Sequence, residues 1–391
     1  RGNMKTEHRT IFSDSGNMKE LADQSTDLVV TSPPYPMVEM WDNIFADQDP
    51  SIKKNLKKGK GFAAFEKMHA LMDRTWKDVY RVLKPGGFAC INIGDATRTI
   101  NEKFCLYPNH SRILAFALEL GFSPLPCILW RKQTNAPNKF MGSGMLPAGA
   151  YVTLEHEYIL ILRKGGKREF KRAEDKSGRR ESALFWEERN LWFSDVWFDI
   201  KGSRQALADK ETRKRSAAFP FELVYRLINM YSVKGDLVVD PFLGIGTTAL
   251  AAMAAARNFT GYEIDPGLEN TNGELKKNLI PTARQVIDRR LSDHIDFVVR
   301  RMQDKGPLKH RNQHYGFPVI TAQEKELLIN TPLGTQMGDG NRTVVTYDEA
   351  PQEAFCRDWT EISGETVGGV AGEKIVKLSK KMPSNGQMSL F

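Results

Sequence analysis

One four-residue pattern, Asp-Leu-Val-Val, occurs twice, at Asp27 to Val30 and at Asp236 to Val239. A short apolar run rich in β-branched residues, with no polar alternation, suits a strand buried on both faces. Such strands belong to parallel sheets covered by helices on each side, so the pair constrains the chain to an α/β architecture. Each run then breaks sharply. The first enters a stiff turn, Ser32-Pro-Pro-Tyr35, and the second a Gly-rich turn, Asp240-Pro-Phe-Leu-Gly-Ile-Gly246, that opens onto an Ala-rich helix from Thr247 to Ala256. In open α/β sheets ligands bind beyond the carboxyl ends of strands, where the winding reverses. If the two strands are neighbours there, one turn holds a cofactor and the other the group it acts on.

The segments between them fit the same scheme. Thr10 to Asp14 reads as a short strand ending in an acid. The stretch from Pro36 through Gly61 reads as irregular. Phe65 to Leu83 carries apolar residues at helical spacing, and Pro85-Gly86-Gly87 ends it. Phe88 to Asp95 reads as a buried strand whose polar end brings Asn92 and Asp95 to the cleft, and His110 to Leu120 as a helix closed by Gly121. Cys127 to Lys132 and Glu157 to Lys164 read as paired strands joined by a Gly-rich loop. Phe219 to Tyr231 is a helix leading into the second Asp-Leu-Val-Val strand, and Asn258 to Asp265 is the next strand. Gln285 to Lys305 reads as a charged helix.

Ser32-Pro-Pro-Tyr35 followed far downstream by Asp240-Pro-Phe-Leu-Gly-Ile-Gly246 resembles the amino-methyltransferases of DNA, and the order, catalytic motif first and cofactor motif last, resembles their permuted beta class. Supporting motifs run from about Ser13 to Asp265. The resemblance implies a circularly permuted, Rossmann-like fold that uses S-adenosylmethionine. Its catalytic residues would be Ser32, Pro33, Pro34 and Tyr35. Its cofactor residues would be Asp14, Phe219, Pro220, Asp240, Pro241, Phe242, Gly244, Gly246, Thr247 and Glu263. By the same resemblance residues 4–163 form a catalytic half, 164–215 a target-recognition region and 216–305 a cofactor-binding half, with 306–391 a C-terminal extension. A P-loop reading fails because no Lys precedes Thr247 or Thr248.

The residue types suit that chemistry. An exocyclic base amine is a poor nucleophile because its lone pair is delocalised into the ring. Acceptors aimed at its hydrogens turn the lone pair toward an electrophile. Ser32 supplies a hydroxyl, and Pro33 a carbonyl held by two prolines that fix φ. Tyr35 can stack on a base that has left the helix. In the resembled family Ser at this position goes with N4 of cytosine, and Asp or Asn with N6 of adenine. An adenine enzyme is the alternative, and a catalytically inert nucleic-acid-binding module is the alternative from another class. Carbon-5 methylation needs an exposed cysteine nucleophile, and Pro126-Cys127 sits inside an expected strand. Glu263 follows Gly246 by 17 residues, where an acid can accept hydrogen bonds from ribose hydroxyls.

The formal net charge of the 391-residue chain is +8, and its distribution is more telling. Arg163 to Arg180 holds nine Lys or Arg against three acids, and Lys53 to Lys60 holds five Lys and no acid. Such clusters fit phosphate contact with duplex DNA. Lys139, Lys167, Arg168, Lys171, Arg172, Arg179 and Arg180 are the expected DNA-binding residues. The four cysteines lie far apart and form no metal-ligand pattern. No apolar run is long enough for a membrane span, and Arg1 to Met4 has no signal-peptide core, so a cytoplasmic enzyme is expected. A cognate restriction endonuclease is an expected partner, and Gln387 to Phe391 is similar to short peptides that bind bacterial sliding clamps.

Overall fold

A computed structural model describes residues 3–132, 141–201, 219–271, 273, 278–339, 341–356 and 359. Walking the chain, the first strands are β1 (Lys5–Phe12) and β2 (Thr26–Thr31). Helices α1 (Asp42–Gln48), α2 (Pro50–Lys57) and α3 (Gly61–Val82) then lead to β3 (Leu83–Ile93). A hairpin of β4 (Ala96–Ile100) and β5 (Lys103–Tyr107) precedes α4 (Asn109–Leu120) and β6 (Phe122–Arg131). The small ribbon β7 (Met141–Gly142) and β8 (Ala150–Tyr151) is followed by β9 (His156–Lys164). Next come α5 (Ala173–Glu181), α6 (Trp186–Trp192), β10 (Val196–Trp197), α7 (Phe221–Tyr231) and β11 (Leu237–Asp240). Helix α8 (Thr247–Ala254), β12 (Asn258–Glu263) and α9 (Leu279–Lys305) complete the part expected from sequence.

The main sheet runs β10-β6-β9-β3-β2-β11-β12-β1, and two further strands extend it past β1. Its centre, β3-β2-β11-β12-β1, is parallel throughout. β2 is buried at every position, as its unbroken apolar run requires. Counted cyclically from β11, the parallel strands take the order 3-2-1-4-5 of a doubly wound sheet, with β11 first and β2 fourth. The fold is therefore Rossmann-like and circularly permuted. Its winding reverses between β11 and β2, which are direct neighbours with Val238 opposite Leu28. The expected antiparallel pair is β6 and β9.

Two regions differ from the sequence reading. The stretch after Pro36 is mostly helical, with α1 and α2 too short to show periodicity. Asp49 caps α2 by accepting from the Ser51 amide at 2.9 Å, Pro50 starts it, and Phe45 and Ile52 anchor the two helices in the core. The other difference lies after residue 306. There β13 (His310–Arg311) first pairs with β14 (Pro318–Val319). Strand β16 (Arg342–Tyr347) then pairs antiparallel with β1, and β15 (Pro332–Met337) pairs antiparallel with β16, so this segment extends the main sheet. The same segment shares a separate core with the expected recognition region: Phe185 packs with Leu291, Phe317 and Trp359. Among the described residues, no helix is long and apolar enough to cross a membrane.

One ion pair ties that second core to the sheet's helices. Both oxygens of Glu188 on α6 accept from Arg290 on α9, at 2.6 and 2.8 Å, and Arg290 also donates to the Tyr225 hydroxyl at 2.9 Å. The two side chains are only 11% and 10% exposed, so removing one leaves the other charged and desolvated. Breaking such a pair costs about 3–5 kcal/mol. Glu188→Ala should lower Tm by roughly 6–10 °C, at about 2 °C per kcal/mol, the low end of the range because a longer chain unfolds with a larger entropy. Differential scanning calorimetry checks this, and a drop under about 2 °C would mean that water already solvates the pair.

Candidate active site

The two turns meet at the carboxyl ends of β2 and β11, and a carboxylate joins them. Asp240 is fully buried. It accepts from the Thr31 hydroxyl at 2.6 Å, the Phe242 amide at 3.0 Å and the Thr248 hydroxyl at 2.5 Å. Burial pushes its pKa up to about 6, against the pull of those donors. Asp240 thus spends its oxygens on holding the two turns together.

The Gly-rich turn then leaves a cradle. Gly244 has φ +57° and Gly246 has φ +98°, conformations that favour glycine, and nothing lies within 4 Å of where a Gly244 side chain would start. Gly246 caps α8, with Thr247 as its first residue. Glu263 closes β12 beside this turn. Its oxygens accept from the Gly244 and Asp265 amides, each at 2.8 Å, and burial pushes its pKa up to about 7. Asp14 lies two residues past Phe12, the strand partner of Glu263, so it shares this end of the sheet. It pairs with Arg74 and accepts from the Gly16 amide at 2.9 Å. Phe219 and Pro220 are buried at the start of α7, Pro241 is buried, and Phe242 packs edge-on against Trp76. An open glycine cradle with an acid at the next strand end suits an adenosine-bearing cofactor: backbone can approach closely and the acid can take ribose hydroxyls.

On the other side, the Pro-Pro turn presents a connected polar cluster. The Tyr35 hydroxyl donates to Glu157 at 2.8 Å and lies 3.2 Å from the Ser32 hydroxyl. The Asn92 amide donates to Tyr35 at 2.8 Å and to Glu157 at 2.7 Å. Lys132 donates to the second Glu157 oxygen at 2.9 Å. Burial, then the Glu157 charge, holds the Tyr35 phenol well above its usual pKa. Pro33 is buried and Pro34 half-buried. The turn is pinned from behind by Asn109, which donates to the Pro36 and Gly94 carbonyls, both at 3.0 Å, and pairs with buried His69. Burial pushes that imidazole down to about 3, so it stays neutral. The Tyr35 ring lies on Gly94, where an added Cβ would come within 2.9 Å.

Sequence reasoning brought Asn92 to this cleft but missed Glu157 and Lys132 as site residues, although they bound the two expected antiparallel strands. An acid opening an otherwise apolar strand, His156-Glu-Tyr-Ile-Leu, was the available signal. Asp95 is held apart by His110 at 2.8 Å. Cys127 stays within β6, with no nucleophile turn.

The expected DNA-binding cations are placed elsewhere. Arg168 grips Asp236 through two bonds of 2.6 and 2.8 Å and lies 3.6 Å from Asp27. These acids start the two central strands, so Arg168 sits at the sheet's amino end, about 17 Å of strand from Ser32. A cavity of about 550 Å³ opens there, lined in part by Phe88, Cys127, Phe170, Arg179 and Tyr231. Lys171 pairs with Glu169, Arg172 with Asp175 and Arg180 with Glu326, while Arg179 lies over the Phe170 ring and Lys167 is exposed. Lys139, part of the 164–215 region and Gln387 to Phe391 lie outside the described residues.

Known proteins resemble this chain in sequence and fold. The family model described as DNA methylase matches residues 26–272, and the chain belongs to that family of DNA amino-methyltransferases. It is 51% identical over 347 residues to the type II methyltransferase M.MthZI of Methanothermobacter thermautotrophicus, covering 88% of this chain and 96% of the relative. It is 49% identical over 275 residues to the type II methyltransferase M.MjaI of Methanocaldococcus jannaschii, covering 68% and 89%. Among solved structures, TTHA0409 of Thermus thermophilus, assigned as a DNA modification methylase and bound to S-adenosyl-L-methionine, is 30% identical with a TM-score of 0.55, covering 70% of this chain and 95% of that one.

Asp240 and Glu263 both hold a proton more tightly folded than unfolded. Their contribution to stability is fully present below about pH 4 and is lost as pH rises through about 7. Tm should therefore fall across that window. Glu263→Gln, which cannot ionise, should flatten the upper part of the fall in a thermal-shift series against pH. An unchanged slope would place the carboxylate in water.

Proposed function

We propose that this protein transfers a methyl group from S-adenosyl-L-methionine to N4 of a cytosine flipped out of duplex DNA, as the modification enzyme of a restriction-modification system. The observation that carries this reading is the Ser32 hydroxyl, set at the carboxyl end of β2 one strand away from the Gly-rich cradle. A neutral hydroxyl there accepts from an exocyclic amine without placing a charge beside the base. Serine in place of Asp or Asn favours cytosine N4 over adenine N6. The type II assignment of the two archaeal relatives supports a modification role.

The cofactor supplies a methyl group already activated on a sulfonium. Gly244 and Gly246 would give it room, and Glu263 would accept from its ribose. The α7 start, Phe219 and Pro220, would cover its methionine end, and Asp14 would lie on the adenine side. Ser32 and the Pro33 carbonyl accept from the amine and turn its lone pair outward, and Tyr35 borders the base. The chain's contribution is orientation, which can remove a large part of the barrier.

DNA would approach the carboxyl end of the sheet. There α1, α2 and the β4–β5 hairpin form one wall that starts at the catalytic turn. Arg98 on the hairpin pairs with Asp42 on α1 at 2.8 Å. Lys53, Lys54, Lys57 and Lys58 are exposed on and just after α2. The apolar side chains of Leu106, Leu146, Tyr151 and Val152 stand exposed on and beside the two hairpins.

Three measurements test this. Nucleoside mass spectrometry of mixed-sequence DNA treated with protein and cofactor should give N4-methylcytosine, and N6-methyladenine would assign the other amine. Ser32→Ala should cut the transfer rate by about 10²-fold or more while cofactor affinity holds; equal losses in both would make Ser32 a fold residue. Removing charge from Lys53, Lys54 and Lys57 should weaken DNA binding and flatten its salt dependence, by about 0.9 in log–log slope for each phosphate no longer engaged. The same change at Lys167, Lys171 and Arg179 is the comparison, and the set that flattens the slope names the face that DNA meets.

A further inference from the structure

The polar cluster behind Ser32 has a direction. A carboxylate only accepts, so the Tyr35 proton must point at Glu157, 2.8 Å away. The Tyr35 oxygen then faces its other neighbours as an acceptor. One is the Asn92 amide, whose orientation is fixed because its nitrogen lies 2.7 Å from the same carboxylate. The other is Ser32, 3.2 Å away. The Ser32 proton is therefore drawn toward Tyr35; one Ser32 lone pair faces the Asn92 amide at 3.4 Å, a long contact beside that amide's two shorter ones, and the other is left for a ligand. Lys132 and Asn92 complete the set around Glu157, which is buried at 7% exposure and held from both sides.

We infer that Glu157 is a positioning residue which, through Tyr35, fixes Ser32 as a hydrogen-bond acceptor and receives the proton that the substrate amine gives up. This rests on the amine-methylation reading above. As the nitrogen bonds to the methyl carbon, the carbon–sulfur bond breaks with its electrons left on sulfur, and the nitrogen becomes cationic. It then loses one N–H proton to Ser32 Oγ. The Ser32 proton passes to Tyr35, and the Tyr35 proton to Glu157. Glu157 ends neutral, each hydroxyl ends as it began, and water at the exposed Lys132 takes the proton away. The role belongs to an acid on β9, far in sequence from the Pro-Pro turn it serves.

The test uses the full chain, unmethylated genomic DNA and radiolabelled cofactor under single-turnover conditions, with cofactor affinity measured by calorimetry. Glu157→Gln keeps the shape but can donate to Tyr35, which reverses the chain of hydrogen bonds. It should lower the transfer rate by about 10²-fold with cofactor affinity and Tm near wild type. Tyr35→Phe should give a similar loss, and the double variant should be no slower than Tyr35→Phe alone, since the two act as one unit. Glu157→Asp should recover part of the rate. A Glu157→Gln rate within about threefold of wild type, or fully additive losses, would overturn the relay alone. Absence of methyl transfer by the wild-type protein would overturn the reading of the site and the relay with it.

Discussion

Asp240 is the constraint on which the site depends. A carboxylate moved out of water is strongly unfavourable unless donors surround it. Here one donor comes from β2, one from the turn after β11 and one from α8. All three are satisfied only when β2 lies beside β11 in the observed register, with Val239 opposite Val29. A shift of one residue would reverse every side chain of β2 and withdraw Thr31. The raised pKa shows that desolvation still outweighs the donors, so the clasp specifies geometry more than it adds stability.

The opposite ends of the same strands explain why the sequence repeats itself. Asp27 and Asp236, the first residues of the two Asp-Leu-Val-Val runs, both lie at the amino end of the sheet. Asp27 accepts from the Leu237 amide at 3.0 Å and pairs with Lys84 at 2.7 Å. Asp236 accepts from the Val233 amide at 2.8 Å and takes the two-bond grip of Arg168. The shared motif thus reflects a shared structural task below the sheet. The chemistry lies in what differs above it, a Pro-Pro turn on one strand and a Gly-rich turn on the other.

Legibility in the sequence followed from how local each signal was. The central strands β2 and β11 could be read because burial on both faces leaves a continuous apolar run, whereas β1, expected from Thr10 to Asp14, runs from Lys5 to Phe12 and buries the polar residues Thr6, His8 and Thr10. The turns could be read because Pro and Gly impose backbone geometry whatever surrounds them. Helix α3 could be read because 22 residues carry several full periods. By contrast α1 and α2 have 7 and 8 residues, less than three turns each, and each buries a single side chain, Phe45 and Ile52. The core around Phe185, Leu291, Phe317 and Trp359 draws on distant stretches, so no window of sequence contains it. Arg168 illustrates the limit for charge: composition places it in a basic cluster, but only the fold shows that its partners are Asp236 and Asp27.

Glu157 was hidden for the same reason, and its position shows how the fold divides the work. The groups around Ser32 come from β9, β3 and the turn after β2, which are adjacent in the sheet because β9 runs antiparallel beside β3. Antiparallel pairing brings the start of β9 to the same edge as the ends of β2 and β3. A parallel strand in that place would deliver its carboxyl end there, and Glu157, as the second residue of β9, would lie at the far edge. The reversal of the last strand pair is thus what allows a buried acid to reach a Pro-Pro turn that the parallel strands alone could not supply with one.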